Sequence, residues 1–257
     1  MAQIILRDVS VQIPIYQARG RSLKAAIARH AVGATIGRLP NNDDVVVVNA
    51  LKNISLTLNS GDCVGIIGHN GAGKTTLLRV FADIYSPTGG SVEISGEVSS
   101  LTSISMGIDP EATGHENIIT RAILLGMNYR RARALAPEIE EFTQLGGYLD
   151  LPVRTYSAGM LLRLAFAVAT TIEPDILIMD ELIDAGDASF MEQARARIGM
   201  LIKKASIFVI ASHNEDALHR FCNRAIWLDH GELRQFGPLD ETLAAYKEAW
   251  RRTAVPA

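Results

Sequence analysis

Residues 62–75 constrain this 257-residue chain more than any other stretch. A short apolar run, DCVGII, leads into Gly68-His69-Asn70-Gly71-Ala72-Gly73-Lys74-Thr75, and a helix is predicted from about Gly73 to Ala82. The loop satisfies G-x-x-x-x-G-K-[ST] and has the strand before it and the helix after it that the pattern requires. Its glycines let the backbone curl so that successive N–H groups point inward at an anion. The helix N-terminus adds about half a positive charge at the same place. In such a loop Lys74 reaches the β- and γ-phosphates of a nucleotide, and the Thr75 hydroxyl offers a ligand to Mg2+. Gly68 to Thr75, with Thr76 behind them, are therefore the candidate ATP-binding residues.

Elsewhere the chain alternates between strand and helix patterns. Residues 3–13 and 45–58 read as strands, the latter alternating at Ile54, Leu56 and Leu58 before a turn at Asn59-Ser60-Gly61. Pro87, Gly89 and Gly90 predict a turn before strands around 91–101, and residues 115–170 are mostly helical by pattern, with breaks at Gly126, Gly146-Gly147 and Pro152. Strand 175–180, helix 188–204, strand 206–211, helix 214–221 and strand 224–229 follow. Such alternation predicts a parallel sheet covered on both faces, with the helical middle as an insertion into that α/β core.

Ile176 to Met179 form an apolar strand that ends in Asp180 and Glu181. A buried strand delivering Asp180 to the C-terminal edge of the sheet sets it beside the phosphate loop, where it can hold the hydration shell of Mg2+. Glu181, one residue further, is placed to orient or deprotonate an attacking water. The strand Ile207–Ala211 leads to Ser212 and His213 at the same edge, which makes His213 a candidate γ-phosphate sensor. Tyr156-Ser157-Ala158-Gly159-Met160 opens a long helix with Ser157 at the N-cap. By itself that pentapeptide is a capped helix and nothing more. It stands about twenty residues before the Asp-Glu strand, with Arg163 within one turn, and that order gives it weight.

Composition narrows the class. The net charge of −3 argues against a nucleic-acid partner. Two cysteines, Cys63 and Cys222, show no metal-ligand spacing and no disulfide framework, as in a reducing cytosol. The N-terminus is a poor signal peptide, and no run approaches the ~18–20 apolar residues that span a bilayer. A role at a membrane then requires a partner that holds the chain there.

Taken together, the phosphate loop, YSAGM, ILIMDE, Asp187 six residues after the glutamate, and His213 stand in the order and spacing of ABC-transporter ATPases, and the resemblance covers residues 4–238. It implies a P-loop core with a RecA-like parallel sheet, an antiparallel β subdomain and an inserted α-helical subdomain at about 102–172. It implies ATP hydrolysis by a homodimer bound to two copies of an integral membrane permease, at the cytoplasmic face of a bacterial inner membrane. The signature, LSGGQ in most members, is YSAGM here and resembles the variant of polysaccharide exporters. By position Ser157, Ala158, Gly159 and Met160 would contact the nucleotide on the partner's loop, Asp187 would be the D-loop aspartate and His213 the switch histidine.

Two departures stand out. The family places a glutamine after the strand near residue 100; Ser105 to Glu111 contain none, and Asp109 is the nearest positional equivalent as a third Mg2+ ligand. The family also stacks adenine on an aromatic before the ALKNIS strand, where this chain has Val45 to Asn49. Tyr16 is the substitute candidate or else an ordinary strand aromatic.

The segment GIDPEATGHENI at 107–118 and DELIDAGDASF at 180–190 are similar to those of exporters of O-antigen and related lipid-linked polysaccharides. Residues 18–40 carry Arg19, Arg21, Lys24, Arg29 and Arg38 without an acid, with Leu23, Ile27, Ala31 and Ala34 near one helical face. They read as an interface helix at lipid headgroups, like the gate helix of those exporters, or as a solvated basic loop. A last helix, 241–252, is expected to close the chain without a carbohydrate-binding domain.

Overall fold

The computed structural model describes residues 1–15, 35–39, 42–102, 104–181 and 188–254. Two compact units divide the chain: residues 1–98, 175–181 and 206–257 form the first, and residues 99–174 and 182–205 the second.

The first unit carries an antiparallel sheet and a largely parallel one. In the antiparallel sheet, β1 (Gln3–Ile15) lies between β3 (Asn42–Asn59) and β5 (Gly89–Ser95), and β2 (Thr35–Leu39) pairs on the outer side of β3. Ile4, Leu6, Val9 and Val11 alternate into the core, and register shifts after Leu6 and after Val9 accommodate the left-handed Asp8. The parallel sheet runs β10-β9-β4-β8-β7-β6, comprising β4 (Cys63–Ile67), β6 (Val98–Ser100), β7 (Ile176–Asp180), β8 (Ile207–Ala211), β9 (Arg224–Asp229) and β10 (Glu232–Pro238). β4, β7, β8 and β9 run parallel; β10 returns antiparallel from β9. The central strands are buried along nearly their whole length, as unbroken apolar runs should be.

Helix α1 (Lys74–Phe81) packs Leu77, Leu78, Val80 and Phe81 into the core shared by both sheets. Each such side chain contributes on the order of 2 kcal/mol relative to exposure. That burial fixes the helix whose first turn forms the end of the phosphate loop. Helices α7 (Glu215–Phe221) and α8 (Leu239–Ala254) complete the described part of this unit.

Within the second unit, α2 (Gly114–Leu124), α3 (Tyr129–Ala134), α4 (Ala136–Thr143) and α5 (Ala158–Ala169) are joined by 3-10 turns at Gly146–Asp150 and Val153–Thr155. Ile118, Ile139, Leu149, Leu164 and Val168 form its core. Helix α6 (Ala188–Lys204) also belongs here, and Phe190 meets Phe142 and Phe166 edge-on at 5.8 Å.

Several local expectations sharpen or change. The break expected at Gly146 and Gly147 is present and is filled by a 3-10 turn after α4 ends at Thr143. Gly89 and Gly90 open β5, and Gly237-Pro238 ends a strand that the sequence pattern did not suggest. Within segment 18–40, residues 35–39 are extended and paired with β3, so that end is not helical. Residues 16–34, and with them Tyr16 and most of the basic stretch, lie outside the described residues, as does Asp187.

Candidate functional site

Three strand ends converge at the C-terminal edge of the parallel sheet, where open α/β sheets bind ligands. β4 ends in the phosphate loop, β7 in Asp180, and β8, which lies between them, in Ser212-His213.

The loop's curvature is enforced by contacts that exclude a side chain. Gly68 has φ 147°, and a Cβ there would stand 2.3 Å from the Leu228 carbonyl oxygen. Gly73, at φ 105°, would bring one to 2.7 Å from the Ala50 carbonyl oxygen. The loop is also tied from outside, because Gly231 N–H donates to the Ala72 carbonyl at 3.0 Å.

Lys74 Nζ donates to the carbonyls of Gly68 at 2.7 Å and His69 at 3.0 Å, so the ammonium lies across the loop it follows. Thr75 Oγ1 donates to Asp180 Oδ2 at 2.9 Å, joining loop to strand β7. Burial pushes the Lys74 ammonium below the usual lysine range, and the carboxylates of Asp180 and Glu181 draw it part of the way back. A half-buried cation between two acids and a curl of N–H groups is poised for a multiply charged anion.

Glu181 adopts φ 68°, a left-handed conformation costly for a side-chain-bearing residue, and its N–H is held by the Ala211 carbonyl at 2.8 Å. Sheet pairing thus holds a strained, exposed carboxylate at the rim. A cavity of about 330 Å³ brings together Asn70, Gly71, Gly73, Lys74, Thr75 and Thr76 with Asp180, Glu181 and His213. Its far wall is aliphatic, made by Ile13, Val48 and Ala50. In the sequence those three carry only a strand pattern, where the family resemblance leads one to expect an aromatic ring.

Ser157, Ala158, Gly159 and Met160 belong to the second unit. The Ser157 side chain accepts from Met160 N–H at 3.2 Å as the N-cap of α5, and Ala158 and Gly159 are exposed. Asp109 lies in the same unit, where its carboxylate accepts from Glu111 N–H at 2.9 Å. The segment around it is organised by Asn117, only 1% exposed, which accepts from Asp109 N–H and donates to the carbonyls of Asp109, Ala112 and Thr113. Thr113 and Glu116 close a reciprocal capping box at the start of α2. In the sequence 107–118 reads as a family marker; in the structure Asn117 holds it together.

A glycine-rich loop between a buried strand and a helix, with a threonine bonded to a strand-end aspartate, defines a P-loop nucleotide triphosphatase. The family described as "ABC transporter" matches residues 51–184. The O-antigen export system ATP-binding protein RfbE of Yersinia enterocolitica is 47% identical over 231 residues, 90% of this chain and 96% of that protein. RfbB of Myxococcus xanthus, with the same description, is 40% identical over 97% of this chain, which spans 56% of that protein. The teichoic acids export ATP-binding protein TagH of Bacillus cereus is 35% identical over 80% of this chain and 37% of its own length. A dimeric ATP-binding cassette in a post-hydrolysis state with ADP and Pi shares the fold, with a TM-score of 0.64 and 20% identity over 92% of this chain and 98% of that one. The chain belongs to the ABC transporter family, as an ATP-hydrolysing subunit coupled to transport.

Proposed function

We propose that this chain drives export of a lipid-linked cell-surface polysaccharide, of the O-antigen kind, across the bacterial inner membrane. The observation that carries the substrate class is the 47% identity to an O-antigen export protein over 96% of its length. Teichoic-acid export is the second reading, favoured by a more distant relative at 35%.

In this account the N–H groups of Gly68 to Thr76 and the Lys74 ammonium bind the phosphates of ATP. Thr75 Oγ1 and Asp180 Oδ2, hard oxygens 2.9 Å apart, suit Mg2+, which when bound neutralises phosphate charge. Glu181 orients and deprotonates the attacking water, and His213 senses the γ-phosphate. The aliphatic wall of Ile13 and Val48 covers the base by contact area in place of ring stacking. Two copies pair so that the exposed α5 N-terminus, Ser157 to Met160, meets the nucleotide on the partner's loop, with Asp187 at the shared interface. Asp109 as a third Mg2+ ligand would have to give up its bond to Glu111 N–H.

No described helix is long and apolar enough to cross a membrane, so the transport path belongs to a permease, expected in two copies. The second unit offers a docking surface for it: Met106, Ile123, Leu124 and Leu125 are exposed apolar residues, and Leu124 lies close against Gly107. The test is genetic and biochemical together. Deleting the gene removes the surface polysaccharide, wild type restores it and Lys74→Ala does not. Leu124→Asp keeps ATP hydrolysis but no longer co-purifies with the permease. Unchanged surface polysaccharide after deletion contradicts the substrate assignment.

A further inference from the structure

Beside the first turn of the phosphate loop lies a group of side chains that nucleotide hydrolysis does not use. His69, Asp229 and His230 each turn one ligand atom toward the others, and these atoms all lie within 4.8 Å of one another. His69 Nε2 is 3.2 Å and His230 Nε2 3.7 Å from the same oxygen, Asp229 Oδ1. The two imidazole rings stand 4.7 Å apart, tilted by 53°.

Proton counting makes the arrangement informative. His69 Nδ1 is 2.8 Å from the Asn70 carbonyl oxygen, which only accepts, so Nδ1 carries a hydrogen. In the neutral ring Nε2 is then a bare lone pair, and it faces a carboxylate oxygen. Two acceptors at 3.2 Å attract only if a proton or a cation lies between them. Zinc-class ions bind imidazole nitrogen and carboxylate oxygen at about 2.0–2.2 Å in tetrahedral array, which separates neighbouring ligand atoms by roughly 3.3 Å. The two separations from Asp229, 3.2 and 3.7 Å, bracket that spacing, and the two imidazole ligand atoms lie within 4.8 Å of each other.

The surroundings also suit an ion. A metal-binding histidine normally donates its other ring N–H to a carbonyl, as His69 does to Asn70. The far oxygen of Asp229 is gripped by Arg234, Nε at 3.1 Å and Nη2 at 3.0 Å, which fixes the carboxylate's direction. That guanidinium also weakens the carboxylate as a ligand, so the imidazoles decide the ion: zinc, nickel or copper rather than magnesium or calcium. His230 occupies the first place of a two-residue turn between Asp229 and Glu232, at φ 50° with Gly231 at φ 80°. Asparagine and glycine fill that place most readily. A histidine there is held in an unfavourable conformation that presents its ring to Asp229.

We propose that His69, Asp229 and His230 form a divalent transition-metal site that pins the first turn of the phosphate loop to the β9–β10 turn. This is independent of the transported substrate and of nucleotide hydrolysis. The test is titration of the nucleotide-free chain with Zn2+ against a chromogenic chelator, and with Co2+ by its visible ligand-field absorption. One ion per chain is expected, with affinity lowered at least 10-fold in Asp229→Asn and in His230→Asn. The latter suits the turn and therefore separates ligand loss from misfolding. Asp180→Asn, which alters the phosphate-side cavity instead, should keep the ion. Zn2+ binding that survives unchanged in His230→Asn, or no binding by the wild-type chain, overturns the proposal; in that case a protonated His69 alone bridges to Asp229.

Discussion

At the residue scale, the proposed function divides labour between Lys74 and Glu181, which line the same cavity. Lys74 lies across its own loop; if it compensates phosphate charge as proposed, Lys74→Ala should lose nucleotide binding together with turnover. Glu181 is exposed at the rim, and its proposed role is to act on the attacking water rather than on the phosphates. Glu181→Gln should therefore keep ATP affinity while hydrolysis falls roughly 10²–10⁴-fold, the usual worth of a general base. Equilibrium nucleotide binding measured beside phosphate release separates the two. The cysteines supply a second expectation. Burial, aided by nearby Cys63, pushes the Cys222 thiol up to about 12, and burial also raises Cys63. The reactive thiolate is scarce in the folded state until pH approaches that value. Alkylation at pH 8 should be slow for both in the native chain and rapid once it is unfolded.

Among the elements, α2 depends on polar chemistry at its start. Thr113→Ala removes one side of a capping box and should cost about 1 kcal/mol. Asn117→Ala takes the side-chain partner from the Asp109 N–H and carbonyl, whereas the Ala112 and Thr113 carbonyls keep backbone donors, and should cost about 1–3 kcal/mol; denaturant melts of both variants rank them. Sequence pattern found the elements whose signals are local. Cys63–Ile67, Ile176–Asp180 and Ile207–Ala211 are continuous apolar runs, and helix 188–204 appears where its periodicity placed it. β10 escaped because ELRQFGP does not alternate, and because histidine at a left-handed turn position hides the hairpin signal that asparagine would give. Asn117 escaped for a different reason. Its four partners are backbone groups up to eight residues away, whose folding back onto α2 no pattern of residue types encodes. The aliphatic cavity wall is likewise built by register between β1 and β3, where Ile13 pairs with Val48.

For the whole molecule, the phosphate site and the α5 N-terminus belong to different compact units of the chain. Among the described residues, the candidate site in the first unit supplies loop, acid and histidine but no second group of N–H donors to cap the γ-phosphate. On the proposed function, pairing with a second copy provides them. Sedimentation of Glu181→Gln, with and without Mg2+ and ATP, measures this most directly. The account predicts monomers without nucleotide, dimers with it, and no dimer when Ser157→Arg is added. A chain that binds ATP tightly as a monomer, with Ser157→Arg making no difference, would contradict it.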